Sequence, residues 1–147
     1  MSEQGTARDA RWTAEIATKI QFYDLDPLQV VWHGNYAKFF EQARCAVLDQ
    51  IDYNYLRMKE SGYSWPIIDM QVRYLQPITF GQEIVVRASI VEWEHRLTLR
   101  YLIRDAATGQ RLTKGSTMQV AVDIATQLMC LQSPPVLFER LGVSPTW

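Results

Sequence analysis

The sequence has few of the residues that build metal centres or disulfide frameworks. Only two of its 147 residues are cysteines, Cys45 and Cys130, and only two are histidines, His33 and His95. Because the cysteines form no CxxC pair, we predict that both are reduced residues of a cytoplasmic protein. Two histidines so far apart give too few ligands for a zinc site, so we predict neither a metal nor a resident cofactor.

Long apolar runs and an excess of positive charge are also missing. No apolar run approaches the ~20 residues of a membrane span, and the N-terminus has no apolar segment typical of a signal peptide. The formal net charge is −1, whereas binding to nucleic acid needs clustered Lys and Arg. Arg73, Arg87, Arg100 and Arg104 are scattered and mark no nucleotide site. We expect neither membrane nor nucleic acid as a partner, and we expect residues 1–11 to form a flexible tail.

The periodicity of apolar residues predicts one long helix and several strands. Apolar residues recur every three or four positions from Tyr36 to Ile51, which is typical of an amphipathic helix. A sheet that accompanies one such helix must bury it against one face, so the pattern predicts the α+β class. We expect residues 12–147 to form a single domain. Alternating segments predict strands at residues 12–23, 65–75, 83–93, 96–104 and 111–124, the last with Met118, Val120, Val122 and Ile124 facing inward.

The segment from Asp24 to Tyr36, which joins the first strand to the helix, carries the chemistry of greatest interest. It contains two carboxylates, a histidine and a glycine, and Asp26 lies seven residues before His33 at the predicted helix start. A helix N-terminus offers N–H groups without intrahelical partners and the positive end of the helix dipole. Anions and developing oxyanions are therefore stabilised there.

Several polar residues near this segment have structural explanations. Asp24 is expected to anchor the loop by hydrogen bonds, and Asn35 is expected to cap the helix. Glu41 and Arg44 are three residues apart, a spacing at which opposite charges pair on a helix.

Five stretches of the chain match the pattern of a known family. The sequence resembles the hotdog-fold thioesterases, and most closely the group named for 4-hydroxybenzoyl-CoA thioesterase, over about residues 12–131. The matching stretches are Asp24-Leu25-Asp26-Pro27, Val30-Val31-Trp32-His33-Gly34-Asn35-Tyr36, Phe40-Glu41-Gln42-Ala43-Arg44, and Arg73-Tyr74-Leu75-Gln76-Pro77 followed by Gly81-Gln82-Glu83-Ile84.

The resemblance implies a curved antiparallel five-stranded sheet wrapped around one long helix. It also implies a homodimer or homotetramer with active sites at the subunit interface. The implied reaction is hydrolysis of an acyl-thioester of coenzyme A or acyl carrier protein, with coenzyme A or phosphopantetheine as part of the substrate. The family's catalytic carboxylate matches Asp26, and the residue whose backbone N–H binds the thioester oxygen matches His33.

The chain departs from the family pattern at two places. Family members often carry a glycine just before the Val-Val pair, where this chain has Leu28-Gln29. Gln29 could reshape the loop or contribute its amide to the site. Some relatives carry a tyrosine four residues before the catalytic acid, and this chain has Phe22 there, so no role is assigned to that hydroxyl.

The chemistry of a thioester fits these residues. Thiolate is a good leaving group, so the reaction needs an activated attacker and stabilisation of the oxyanion. Asp26 can serve as nucleophile or as general base, and the N–H groups around His33 and Gly34 can bind the oxyanion. Gly34 would let an acyl chain approach the backbone, and Trp32 and Tyr36 could line the acyl pocket.

Two other functions are open at this stage. The first is a dehydratase or hydratase of acyl-thioesters on the same fold, which needs a histidine facing an acid, here His33 with Glu41. The second is a protein that binds acyl-thioesters without turnover.

Overall fold

The computed structural model describes residues 11–145. The tail predicted at residues 1–11 therefore lies almost entirely outside the described residues. The first strand, β1, spans Thr13–Lys19 and is shorter than predicted, because Phe22–Asp24 turn into a single 3-10 turn. Phe22, which lies within the strand predicted at residues 12–23, is 80% exposed.

The long helix, α1, spans Tyr36–Gln50 and buries one stripe of its surface. A 3-10 turn at His33–Asn35 leads directly into it. The helix stops where Asp52 adopts a left-handed backbone conformation (φ 52°). A short helix, α2, follows at Tyr55–Glu60, and its first N–H is capped by the Asn54 side chain at 2.8 Å. The stripe of α1 that faces the sheet consists of Tyr36, Phe39, Phe40, Ala43, Arg44, Val47 and Leu48.

Five antiparallel strands form the main sheet, as predicted. After β1, these strands are β3 (Ile67–Tyr74), β4 (Glu83–Glu92), β5 (Leu97–Asp105) and β6 (Arg111–Gln119). Their spatial order is β1-β4-β5-β6-β3, so β1 and β3 are the two edges. A two-stranded ribbon, β2 (Tyr63–Ser64) with β7 (Val122–Asp123), and a helix, α3 (Pro135–Leu141), complete the fold.

The helix packs on the inner face of the sheet, chiefly on β1, β4 and β5. The closest ring contact is between Phe40 and Tyr101, whose centroids are 4.4 Å apart with planes 7° from parallel. Gly115 on β6 lies beneath Phe40, and a Cβ there would approach the ring to 2.4 Å. Glycine at this position therefore allows the long helix to pack closely against the sheet.

The predicted inward face of the last strand is only partly right: Val120 is buried, with 7% exposure, but Met118, Val122 and Ile124 are not. The buried side chains of β6 include Thr113, Thr117 and Gln119, whereas Ile124 is 40% exposed. Two of these polar side chains have partners inside the protein: the Thr117 hydroxyl shares a hydrogen bond with the Tyr101 hydroxyl at 2.7 Å, and the Gln119 amide donates to the Trp65 carbonyl at 2.7 Å. Because the chain leaves the sheet after Gln119, the apolar alternation beyond that point belongs to the ribbon.

None of the helices within residues 11–145 is long and apolar enough to cross a membrane.

Candidate functional site

The loop between β1 and α1 is closed by hydrogen bonds at both ends. Asp24 is buried, with 3% exposure. One of its carboxylate oxygens accepts from the Gln21 N–H at 2.8 Å, and the other pairs with Lys38 on α1. Its backbone carbonyl accepts from the Trp32 N–H at 3.0 Å and from the Asn35 side chain at 2.9 Å. The predicted role of Asp24 as the anchor of the loop is confirmed.

Asn35 does not cap the helix as predicted. It precedes α1, but its backbone is already helical (φ −84°, ψ −9°) and its side chain accepts no cap hydrogen bond. The 3-10 turn at His33–Asn35 extends the helical winding backwards, so the amide of Asn35 is free to bind the loop carbonyl instead. The first turn of helical structure, where N–H groups lack intrahelical partners, is therefore at His33 and Gly34.

Asp26 begins a tight turn on the same loop. Its backbone N–H donates to the Val30 carbonyl at 2.9 Å, and its carbonyl accepts from the Gln29 N–H at 2.9 Å. One carboxylate oxygen accepts from the Leu28 N–H at 2.8 Å. Two backbone hydrogen bonds thus fix the main chain of Asp26, and one holds its carboxyl group, which is only partly buried and keeps a second oxygen for chemistry.

Gln29 occupies the position in this turn that favours glycine. Its φ is +65°, as in a three-residue hairpin loop that ends in a left-handed residue. The exposed side chain of Gln29 is thereby held three residues from Asp26. The family glycine at this place is explained by the backbone, and the replacement by glutamine keeps the turn at the cost of strain.

His33 lies at the mouth of a small pocket. Its carbonyl accepts from the Tyr74 hydroxyl at 2.7 Å, which ties the helix start to the end of β3. The Tyr74 ring meets the Tyr36 ring edge-on at 4.7 Å. Burial raises the pKa of Tyr36, so this phenol stays protonated. The pocket has a volume of about 270 Å³ and is lined by Val30, Val31, His33, Tyr36, Tyr74, Leu75, Gln76 and Pro77.

The predicted site residues are only partly brought together by this pocket. His33 and Tyr36 line it, whereas Asp26 is not a lining residue and is linked to the pocket only by the hydrogen bond from its backbone N–H to the Val30 carbonyl. Trp32 is 47% exposed, and its ring lies over Gly34, where a Cβ would come within 2.4 Å of the ring. Gly34 is thus required first by the packing of its own neighbour.

Tyr74 is the site residue that sequence reasoning missed. The sequence indicates no role for Tyr74 beyond its place in the matching stretch Arg73-Tyr74-Leu75-Gln76-Pro77. The contact joins residues 41 positions apart, so no local periodicity indicates it. An exposed tyrosine before a proline turn was the only available signal.

Glu41 forms an ion pair with Arg44 and lies apart from His33. Arg44 is 2% exposed, and it binds the Glu41 carboxylate and the Tyr55 hydroxyl, while Tyr55 also donates to Glu41 at 2.6 Å. Burial raises the pKa of Glu41, but the bonds from Tyr55 and Arg44 outweigh it and hold that pKa below its usual value. Glu41 follows His33 by eight residues, about 12 Å along a helix, which does not give the facing acid of a dehydratase.

No group of three or more His, Cys, Asp or Glu side chains converges anywhere in residues 11–145. That part of the chain therefore offers no evident metal site.

Comparison with known proteins places the fold and the loop in a family. Residues 20–141 match the Thioesterase-like superfamily. The chain belongs to this superfamily. A Synechocystis protein provisionally named an esterase is 30% identical over 128 residues, which are 86% of this chain and 77% of that protein. A Bacillus subtilis protein provisionally named an acyl-CoA thioesterase is 26% identical over 106 residues, 71% of this chain and 76% of that one.

The solved structures agree on the fold. The crystal structure of a 4-hydroxybenzoyl-CoA thioesterase mutant bound to 4-hydroxybenzoyl-CoA superposes with a TM-score of 0.76, covering 88% of this chain and 99% of that one at 17% identity. The predicted hotdog fold, family and thioesterase class are thus confirmed for this chain.

Proposed function

We propose that this protein hydrolyses the thioester of an acyl-CoA or an acyl carrier protein and releases a free carboxylic acid. The observation that carries the proposal is the Asp26 carboxyl group, which the Leu28 N–H holds within a hydrogen-bonded turn of the loop that is fastened to the start of α1. Family membership and the names of the relatives support the same reaction class. Coenzyme A or phosphopantetheine enters as part of the substrate, and no separate cofactor is required.

The first step uses Asp26 in one of two ways. As a general base, it takes a proton from water while the hydroxide oxygen bonds to the thioester carbonyl carbon. As a nucleophile, it bonds to that carbon itself and forms a mixed anhydride, which water then hydrolyses. In both routes the C–S bond breaks, the thiolate leaves with the electron pair and takes up a proton, and one water is consumed.

The oxyanion that forms in either route needs a donor that is already in place. The backbone N–H at His33 lies in the first turn of helical structure, where the dipole favours negative charge. Loss of one donor of this kind typically costs about 10²–10³ in rate. The Tyr74 hydroxyl helps to hold the His33 backbone N–H in place, because it donates a hydrogen bond to the carbonyl of the same residue. We assign substrate contacts to Gln29, Trp32, Gly34 and Tyr36 around the acyl group.

The test is release of free thiol from aryl, short-chain, medium-chain and long-chain acyl-CoA substrates. Wild type is expected to turn over part of the panel, and Asp26→Asn is expected to keep the fold and lose activity. His33→Ala is the matched variant, since it keeps the backbone N–H and should be mild. Near-normal turnover by Asp26→Asn would refute the role of this carboxylate, and a thousand-fold loss in His33→Ala would assign the role to the imidazole.

Two alternatives would be recognised in the same assay. A dehydratase or hydratase would alter the acyl chain without releasing thiol, but Glu41 is held by Arg44 and Tyr55. A binding protein would retain acyl-thioesters without turnover. Failure on every coenzyme A ester calls for the same assay on acyl-carrier-protein substrates before either alternative is accepted.

A second copy of the chain is part of the proposed enzyme, which we place in the cytoplasm as a homodimer or homotetramer. Strand β3 is an edge of the sheet, and seven of its eight residues are exposed. Three of these exposed side chains are apolar and large: Ile67 at 43%, Ile68 at 54% and Met70 at 45%. An exposed apolar edge strand is a template for pairing with another strand, and a paired β3 would place the partner next to Tyr74 and the pocket.

A further inference from the structure

The face of the sheet that points away from α1 carries a cluster of basic side chains. Tyr101 stacks on Phe40 of the helix, and successive residues of a strand point to opposite faces. Arg100 and Leu102 therefore point to the outer face. The strand register sets two rows across β5, β6 and β3 on that face, Arg100–Ser116–Gln71 and Leu102–Lys114–Arg73.

A groove of about 400 Å³ follows these two rows. Three of the residues that line it are cationic, Arg73, Arg100 and Lys114, and none of its lining residues is acidic. The small side chain of Ser116 lies between the longer ones of Arg100 and Gln71 and gives the groove its depth. Residues that appear scattered in the sequence are thus gathered into one concave basic site.

The pair Arg73 and Lys114 is the unusual feature of this groove. The two residues are directly opposite on neighbouring strands, where like charges repel and destabilise the pairing. Elsewhere on the outer face an acidic residue offsets the repulsion between cations. Glu15 lies opposite Arg87, and its carboxylate accepts hydrogen bonds from Arg104 at 2.7 and 3.2 Å. Within residues 11–145, no carboxylate plays that part for Arg73 or Lys114. An anion from outside the chain would complete the site.

The groove and the candidate active site share the edge strand. Arg73 lines the groove on the outer face, and the next residue, Tyr74, points to the inner face and donates to the His33 carbonyl. In a coenzyme A ester, or in an acyl carrier protein, the thioester is joined to a phosphate through the long pantetheine arm. A phosphate site at the same edge of the sheet, on the face opposite the candidate active site, matches that arrangement.

We propose that this groove binds the phosphate-bearing end of the phosphopantetheine arm of the substrate. The proposal rests on the proposed function, because it assigns the remote end of the same substrate. Arg73 and Lys114 hold the phosphate oxygens by charge-assisted hydrogen bonds, and Arg100 borders them. The phosphate lies far from the reacting carbonyl, so these residues contribute to binding and leave the chemical step unchanged.

The experiment compares two substrates that differ only at the phosphate end: an acyl-CoA and the same acyl group on pantetheine. In Arg73→Gln/Lys114→Gln, KM for acyl-CoA is expected to rise about tenfold or more, with kcat unchanged, whereas KM for acyl-pantetheine stays at the wild-type value. Arg87→Gln is the matched control, because it removes one positive charge from the same face outside the groove. An equal rise for both substrates, or an equal rise in the control, would overturn the proposal.

A binding measurement separates this proposal from the proposed function. Calorimetric titration of the protein with adenosine 3′,5′-bisphosphate measures binding and needs no turnover. Binding by wild type that is lost in the double variant supports the groove even if no thioester is hydrolysed. Turnover of acyl-CoA that the double variant retains at normal KM refutes the groove and leaves the proposed function intact. The same kinetic comparison of wild type and the double variant, with an acyl-acyl carrier protein as substrate, shows whether the groove recognises the phosphate of the carrier protein's phosphopantetheine.

Discussion

Gln29 adopts a conformation that an L-residue reaches only with strain, three residues from the candidate catalytic carboxylate. Its φ is +65°, and left-handed backbone costs a non-glycine residue about 1–2 kcal/mol. Gln29→Gly would remove that strain but would also add about 0.4–1 kcal/mol of unfolded-state entropy. We therefore expect the variant to be more stable by roughly 0.5–1 kcal/mol in a denaturant titration.

The same substitution tests whether the amide of Gln29 contacts the substrate. If it does, Gln29→Gly raises KM while the free energy of unfolding rises as well, a trade-off typical of a strained functional residue. Gln29→Asn is the control for side-chain length, because asparagine keeps the amide on a shorter side chain and tolerates a left-handed backbone better than most residues. Unchanged KM in both variants would show that the side chain is merely tolerated in the turn.

The elements of this fold differ in how readily the sequence predicts them. The apolar repeat of α1 and the alternation of β4 and β5 arise from burial against one surface, so the pattern gives their type and approximate bounds. The predicted cap at Asn35 and part of the predicted inward face of the last strand are wrong because tertiary partners decide them: the Asn35 amide donates to the Asp24 carbonyl, and Thr117 shares a hydrogen bond with Tyr101 in the core. The contact of Tyr74 with His33 has the same origin, since no local pattern encodes it.

At the scale of the α1–α2 pair, one buried cation links the two helices. Arg44 is 2% exposed, Glu41 supplies its only carboxylate partner within residues 11–145, and Tyr55 of α2 completes the cluster. Glu41→Gln would leave the guanidinium buried without a counter-charge, which we expect to cost about 2–3 kcal/mol of unfolding free energy at neutral pH. Glu60→Gln, on an exposed pair with Arg57, is the control and should cost well under 1 kcal/mol.

The pH dependence of this loss follows from the lowered pKa of Glu41. The pKa of Glu41 is lower in the folded protein than its unfolded value of 4.5, so the ionised carboxylate stabilises the folded protein at pH values above 4.5. This stability is lost as the pH falls through the folded pKa. The difference in unfolding free energy between wild type and Glu41→Gln should therefore shrink below about pH 4.5. A difference that stays constant from pH 7 to pH 3 would contradict the ion-pair origin.

For the whole molecule, the inner face of β3 is the surface that a single chain leaves uncovered. Met70 lies opposite Thr117, whose side chain is buried, yet Met70 itself is 45% exposed because α1 packs chiefly on β1, β4 and β5. Pairing of β3 with β3 of a second copy would extend the sheet and cover this row. We therefore expect the protein to sediment as a dimer or a larger even-numbered assembly.

Met70→Lys tests that expectation because it puts a charge at the centre of the proposed contact, where two copies would bring two lysines together across the axis. We expect the variant to sediment as a folded monomer and to lose thioesterase activity, since the pocket beside Tyr74 lies at the end of the same strand. Leu56→Lys, an equally drastic change at an exposed position of α2, should leave both assembly and activity as they are. A monomeric Met70→Lys that is fully active would show that one chain holds a complete site, and wild type that sediments as a monomer would refute the pairing itself.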